Sequence, residues 1–95
     1  MNASGSLYLI QANAQSTAAA LDQLTGLWSP NDQIVMMGES LWCYEHDFFK
    51  QAHTVYALES DLNLLPQVLQ GHFHRLDYAS FADLCLKFKR CIRLT

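Results

Sequence analysis

Apolar residues in this chain alternate between short continuous runs and longer stretches in which they recur every three or four positions, which reads as strand, helix, strand. Leu7–Ala12 is the first run, entered from Ser4-Gly5-Ser6, and predicts a strand. Thr17-Ala18-Ala19-Ala20 then opens a helical pattern carried by Leu21, Leu24 and Leu27 with Trp28. Ser16 or Thr17 is placed to cap it, and Ser29-Pro30-Asn31-Asp32 to stop it. Ile34–Met37 predicts a second strand. Gly38-Glu39-Ser40 reads as a turn, with Ser40 capping a helix from Leu41 toward Gln51. On that helix Leu41, Tyr44 and Phe48 share one face, while Trp42 and Phe49 lie on another.

The second half repeats the alternation. His53–Leu58 predicts a third strand, and Asp61 caps the segment after it. Pro66–Gln70 forms one or two helical turns closed by Gly71. Phe73–Tyr78 predicts a fourth strand. Ser80-x-x-Asp83 is the pattern of a reciprocal cap, opening a helix whose Phe81, Leu84, Cys85 and Phe88 form the apolar stripe, with Phe81 as its core anchor. Cys91–Leu94 is a short fifth strand. Connections of this length are too long for hairpins and predict parallel βαβ units with right-handed crossovers. The expected architecture is a single α/β domain over residues 1–95: a three-layer α/β/α sandwich around a mostly parallel sheet of four or five strands.

Composition narrows the picture further. A chain of 95 residues has room for one domain, burying roughly 60–65% of the surface its unfolded form exposes. It is 51% hydrophobic and 16% charged, against about 25% charged in ordinary domains. The surplus of apolar surface predicts a protein partner. Trp42, Phe48 and Phe49 cannot all face one sheet from one helix, which makes them interface candidates. No apolar run approaches the roughly 18–20 residues of a membrane span, and the N-terminal sequence lacks a secretory pattern, so a cytoplasmic location without membrane contact is expected.

A net charge of −3 argues against direct nucleic-acid binding by the chain as a whole. Lys87, Lys89, Arg90 and Arg93 nevertheless cluster near the C-terminal end. Two readings account for them: cations complementing a helix C-terminus, or a patch for a partner or tRNA.

The candidate chemistry lies in the thiols. Cys43, Cys85 and Cys91 form neither a CxxC pair nor an even framework, which predicts reduced thiols rather than a disulfide scaffold or zinc knuckle. Cys43 falls in the first turn of the expected second helix, where unpaired amides and the dipole favour the thiolate. His46 stands one turn on. A carrier thiolate there would attack the terminal sulfur of a persulfide and pass it on by the same exchange. The competing reading is a small half-buried side chain, since Glu45 and Asp47 oppose ionisation.

Cys91, after Lys89-Arg90, is the second candidate thiol, and Cys85 is expected in the core. His72 and His74 share a strand face at metal-ligand spacing or mark a solvated or interface face; no third ligand joins them. The loops beyond the strand ends lack GxGxxG and GxxxxGK[ST], so no nucleotide cofactor is expected. Asp77 is expected to bind amides in the turn to the last helix, with Tyr78 packed beneath it.

Val55-Tyr56-Ala57-Leu58 with Asp61-Leu62, then Leu76-Asp77-Tyr78, Phe81 and Leu84, resembles the second half of the TusB/DsrH family. Leu7-Tyr8-Leu9-Ile10 and Asn31–Met37 stand where that family has its first two strands. The resemblance implies a DsrEFH-like fold and a small subunit of a heterohexamer with TusC/DsrF-like and TusD/DsrE-like chains. In tRNA-modifying complexes of this kind persulfide sulfur moves toward 2-thiolation of the wobble uridine, and in DsrH-type relatives the analogous complex serves sulfur oxidation.

The resemblance also implies that the main sulfur-carrying cysteine belongs to the TusD/DsrE-like partner. The stretch Ala18–Trp28, where some DsrH members carry a cysteine, has none here. A structural rather than catalytic role follows, without cofactor. The alternatives are a sulfurtransferase subunit using Cys43 or Cys91, and a stand-alone ligand-binding α/β module.

Overall fold

In the computed structural model, which describes residues 5–29, 31–43, 45–50 and 55–94, five parallel strands form one sheet in the order β4-β3-β2-β1-β5. They are β1 (Leu7–Gln11), β2 (Gln33–Met37), β3 (Val55–Leu58), β4 (His74–Leu76) and β5 (Cys91–Leu94). The α/β sandwich expected from the alternating pattern is present, with all five strands parallel. The chain steps outward from β1 to β4 and returns across the sheet to lay β5 against the opposite edge of β1.

Strand alternation divides the core. Tyr8, Ile10, Ile34, Met36, Val55 and Ala57 point to one face, where they meet Leu21 and Leu24 of α1 (Ala14–Leu27) and Leu41, Phe48 and Leu62 from the later connections. Leu7, Val35 and Leu58 point to the other face, with Leu84 and Phe88 from α4 (Tyr78–Lys87) and its C-cap. The first face is thus covered by several elements and the second by α4. Leu9, Met37 and Tyr56 on the second face are only partly buried.

The loop between α1 and β2 is tied to the start of β1 by Asp32. Its carboxylate accepts the Ser6 amide at 2.7 Å and the Ser29 amide at 3.0 Å, and the side chain is buried. A Cβ on Gly5 would sit 2.1 Å from the Asn31 carbonyl oxygen, so only glycine lets these backbones pass. The Ser-Pro-Asn-Asp helix stop therefore also sets the register of the first two strands.

The expected second helix, Leu41 to Gln51, is replaced by two 3₁₀ segments, Gly38–Cys43 and Asp47–Lys50; Tyr44 and Gln51 lie outside the described residues. The cause is local. The Ser40 hydroxyl, fully buried, accepts the Met37 amide at 2.9 Å and sits 2.7 Å from the Met37 carbonyl and 3.1 Å from that of Ile10. It is stitched to the ends of β1 and β2 instead of capping a helix. Gly38, at φ 62°, makes the turn that brings it there. The amides of His46 and Phe49 then bond three residues back, to Cys43 and His46, in the tighter 3₁₀ pattern.

Other boundaries shift less. Asn13, not Ser16 or Thr17, caps α1 by accepting the Ser16 amide at 2.8 Å. Asp61 lies inside the short helix α2 (Glu59–Leu62) rather than capping it. α3 (Gln67–Gln70) does close at Gly71. The expected third strand begins outside the described residues and is described from Val55, and the fourth is shortened to His74–Leu76.

Candidate functional site

Cys43 ends the first 3₁₀ segment instead of starting a helix. The environment expected to favour its thiolate is therefore absent, and burial beside the α1-side core raises the thiol's pKa. His46 is not poised as its base. The ring Nδ1 accepts the Phe48 amide at 3.0 Å, and Nε2 lies 2.8 Å from Asp22 Oδ1 on α1. With Nδ1 as acceptor, the hydrogen toward Asp22 is carried on Nε2. Nε2 fastens the 3₁₀ region to α1, and Nδ1 holds the start of the second 3₁₀ segment. Cys43 is thus a small, half-buried side chain whose surroundings disfavour the thiolate.

The three aromatic candidates separate. Phe48 is 1% exposed, packed edge-to-face on Trp28 at 5.5 Å and on Phe49 at 5.8 Å, so its ring belongs to the core and offers no surface to a partner. Phe49 is half-buried against the same core. Trp42, 52% exposed, is the ring presented to solvent.

Among the basic residues only Lys87 lies in the last turn of α4, where it complements the dipole. Arg93, on β5, donates to Gln11 Oε1 at 2.7 Å across the ends of two neighbouring strands. The helix-dipole reading therefore applies to Lys87 alone. His72 precedes β4 in a turn, and His74, exposed on β4, lies against Tyr56 at 5.9 Å. The pair does not share a strand, and no group of three metal-ligating side chains occurs among the described residues.

Asp77 binds an amide in the turn to the last helix, as expected, and also takes the capping role expected of Ser80. Asp77 is the N-cap of α4, accepting the Ser80 amide at 2.7 Å, so the cap lies three residues earlier than a Ser80–Asp83 box would place it. That amide bond first, and the Ser80 hydroxyl second, hold the Asp77 carboxyl below its ordinary pKa. Tyr78 does not pack beneath it; the ring is 68% exposed, with its hydroxyl 3.2 Å from Ser60 Oγ. Leu84 and Phe88 anchor the helix, while Phe81 is half-buried.

Asp77, Tyr78 and Ser60 border a crevice of about 210 Å³ at the carboxyl ends of β3 and β4, walled by Leu58 and Leu76 and rimmed also by Glu59 and Asn63. Its position is the usual one for ligands in an open parallel sheet. Glu59 on the rim is paired with Arg75 at 3.6 Å, and the hydroxyls of Ser60 and Tyr78 suit a small neutral donor or acceptor.

A larger cavity, about 400 Å³, lies between the end of α1 and β5. Tyr8, Asp32 and Arg90 are among its polar groups, beside Gln23 and two serines, with Leu24, Leu27 and Ile92 among its apolar walls. Burial, then Asp32, raises the Tyr8 pKa against the opposing charge of Arg90. No local pattern marks this constellation in the sequence. Tyr8 meets the C-terminal segment only because β1 pairs with β5, eighty-odd residues on.

Cys85 is half-buried on α4 and Cys91 is exposed at the start of β5. No helix among the described residues is long and apolar enough to cross a membrane. Searches against family models, curated proteins and solved structures find no match to this chain.

Proposed function

We propose that this chain is a structural, non-catalytic subunit of a cytoplasmic sulfur-transfer complex that passes persulfide sulfur between cysteines, acting toward 2-thiolation of the wobble uridine of tRNA. The observation that carries the reading is the state of Cys43. The residue is half-buried, which disfavours the thiolate, and it lies off any helix N-terminus beside a histidine whose nitrogens are both engaged. A sulfur carrier needs an accessible thiolate, which argues against Cys43 and favours a partner chain for that task. The TusB/DsrH-like segments Val55–Leu58 and Leu76–Leu84 supply the identity of the complex, and exposed Trp42 supplies surface for the TusC/DsrF-like and TusD/DsrE-like partners.

The test is reconstitution with those two chains. The three should co-elute as one assembly that moves sulfur from a persulfide donor, and Cys43→Ser should leave the rate unchanged. A rate lost in a Cys43→Ser assembly of normal size, or absence of co-elution, would overturn the proposal. One observation favours a second reading, a carrier role for Cys91: that thiol is exposed. An added sulfur on Cys91 after exposure to the donor, with transfer lost in Cys91→Ser, would establish it.

A further inference from the structure

The return of the chain from α4 to β5 brings two cysteines together. α4 ends at Lys87, and Cys91 opens β5 with its Sγ 3.8 Å from the carbonyl oxygen of Cys85. Cys91 pairs in register with Leu7, whose side chain lies in the core beneath α4, and Cys85 packs against that same core. After burial, Cys91 is the neighbour that raises the Cys85 thiol's pKa. Cys43 packs against the opposite face of the sheet. The two neighbours differ in access, Cys91 standing in solvent and Cys85 half-covered.

We propose that Cys85 and Cys91 form a redox pair that closes to an intrachain disulfide on contact with a low-molecular-weight disulfide. The Cys91 thiolate attacks one sulfur of the small disulfide, whose S–S bond breaks and releases one small thiolate. Cys85 gives its proton to solvent and attacks the Cys91 sulfur of the mixed disulfide, and the second small thiolate leaves. Each released thiolate takes up a proton. Two protein thiols are oxidised by two electrons, and one disulfide is reduced to two thiols.

Access fixes the order: the exposed sulfur attacks and the half-covered one resolves. Burial, with the neighbouring sulfur adding to it, keeps Cys85 protonated until then. The closed form pins the end of α4 to edge strand β5. It thereby restricts the unfolded chain across that turn.

The experiment incubates the full chain with oxidised glutathione at about pH 8, where an ordinary thiol is partly ionised, and maps its peptides without reduction. The expected product is a Cys85–Cys91 cross-link with the loss of two hydrogens, Cys43 remaining a thiol. Cys85→Ser, which retains the attacking sulfur, should instead accumulate a glutathione adduct on Cys91 that the parent chain does not hold. A persistent Cys91 adduct in the parent, a cross-link to Cys43 or between chains, or no oxidation at all would each overturn the proposal. The parent map alone decides it should the Cys85 variant fail to fold.

Discussion

The Asp77 carboxylate accepts the Ser80 amide at 2.7 Å, so the last helix is capped by the residue that closes the fourth strand's connection rather than by the serine after it. Asp77→Ala should therefore destabilise the domain more than Ser80→Ala, which removes one hydroxyl but keeps the amide. The two melting temperatures at pH 7 check the order. A serine-capped helix would reverse it.

The same bond has a pH signature. The folded pKa of Asp77 is depressed below the ordinary 3.8, so its contribution is complete above the unfolded pKa and is lost as pH falls through the folded one. Denaturant midpoints between neutral and acid pH should fall more in the parent chain than in Asp77→Asn, which has no carboxyl to protonate. Parallel curves would show that the cap does not carry this proton.

Phe48 fills the interior between the 3₁₀ region and α1, with Trp28 and Phe49 at its edges. Phe48→Ala should cost roughly 3–5 kcal/mol, measured by urea unfolding. Trp42→Ala, at a largely exposed position, should leave the isolated chain nearly as stable and weaken only the proposed assembly. A Phe48→Ala loss of under about 1 kcal/mol would place the ring outside the core.

Ser40 has a buried hydroxyl serving a β2 amide and two strand-end carbonyls. Ser40→Ala leaves the Met37 amide without that acceptor and should cost roughly 1–3 kcal/mol. Amide exchange should accelerate at Met37 before it does at Ile34. Unchanged protection there would mean that water replaces the hydroxyl without penalty.

Cys43 should alkylate along a pH profile whose midpoint lies above the ordinary 9.0, because burial disfavours the thiolate. His46→Gln should not shift that midpoint upward, since the imidazole is bonded to Asp22 and the Phe48 amide. A profile with its midpoint near neutrality, abolished by His46→Gln, would restore the Cys43–His46 pair as a nucleophile and base.

The amino-acid sequence by itself determined the first four strands along the chain, α1 and α4, and offered Cys91–Leu94 as a fifth, because apolar periodicity and turn residues are local signals. It could not reveal that Ser40 would leave its expected capping role, since the carbonyl of Ile10 that holds it lies thirty residues away. Ser80-x-x-Asp83 carried the pattern of a cap, but the strand ended early enough for Asp77 to take that position. Tertiary structure alone decided the strand order β4-β3-β2-β1-β5. That order lays β5 against β1, placing Tyr8 with Arg90 around one cavity and Cys91 beneath the helix that carries Cys85. The physical reason is that parallel pairing is chosen by burial of both sheet faces across long crossovers, and no residue's immediate neighbours encode which strand lies beside it.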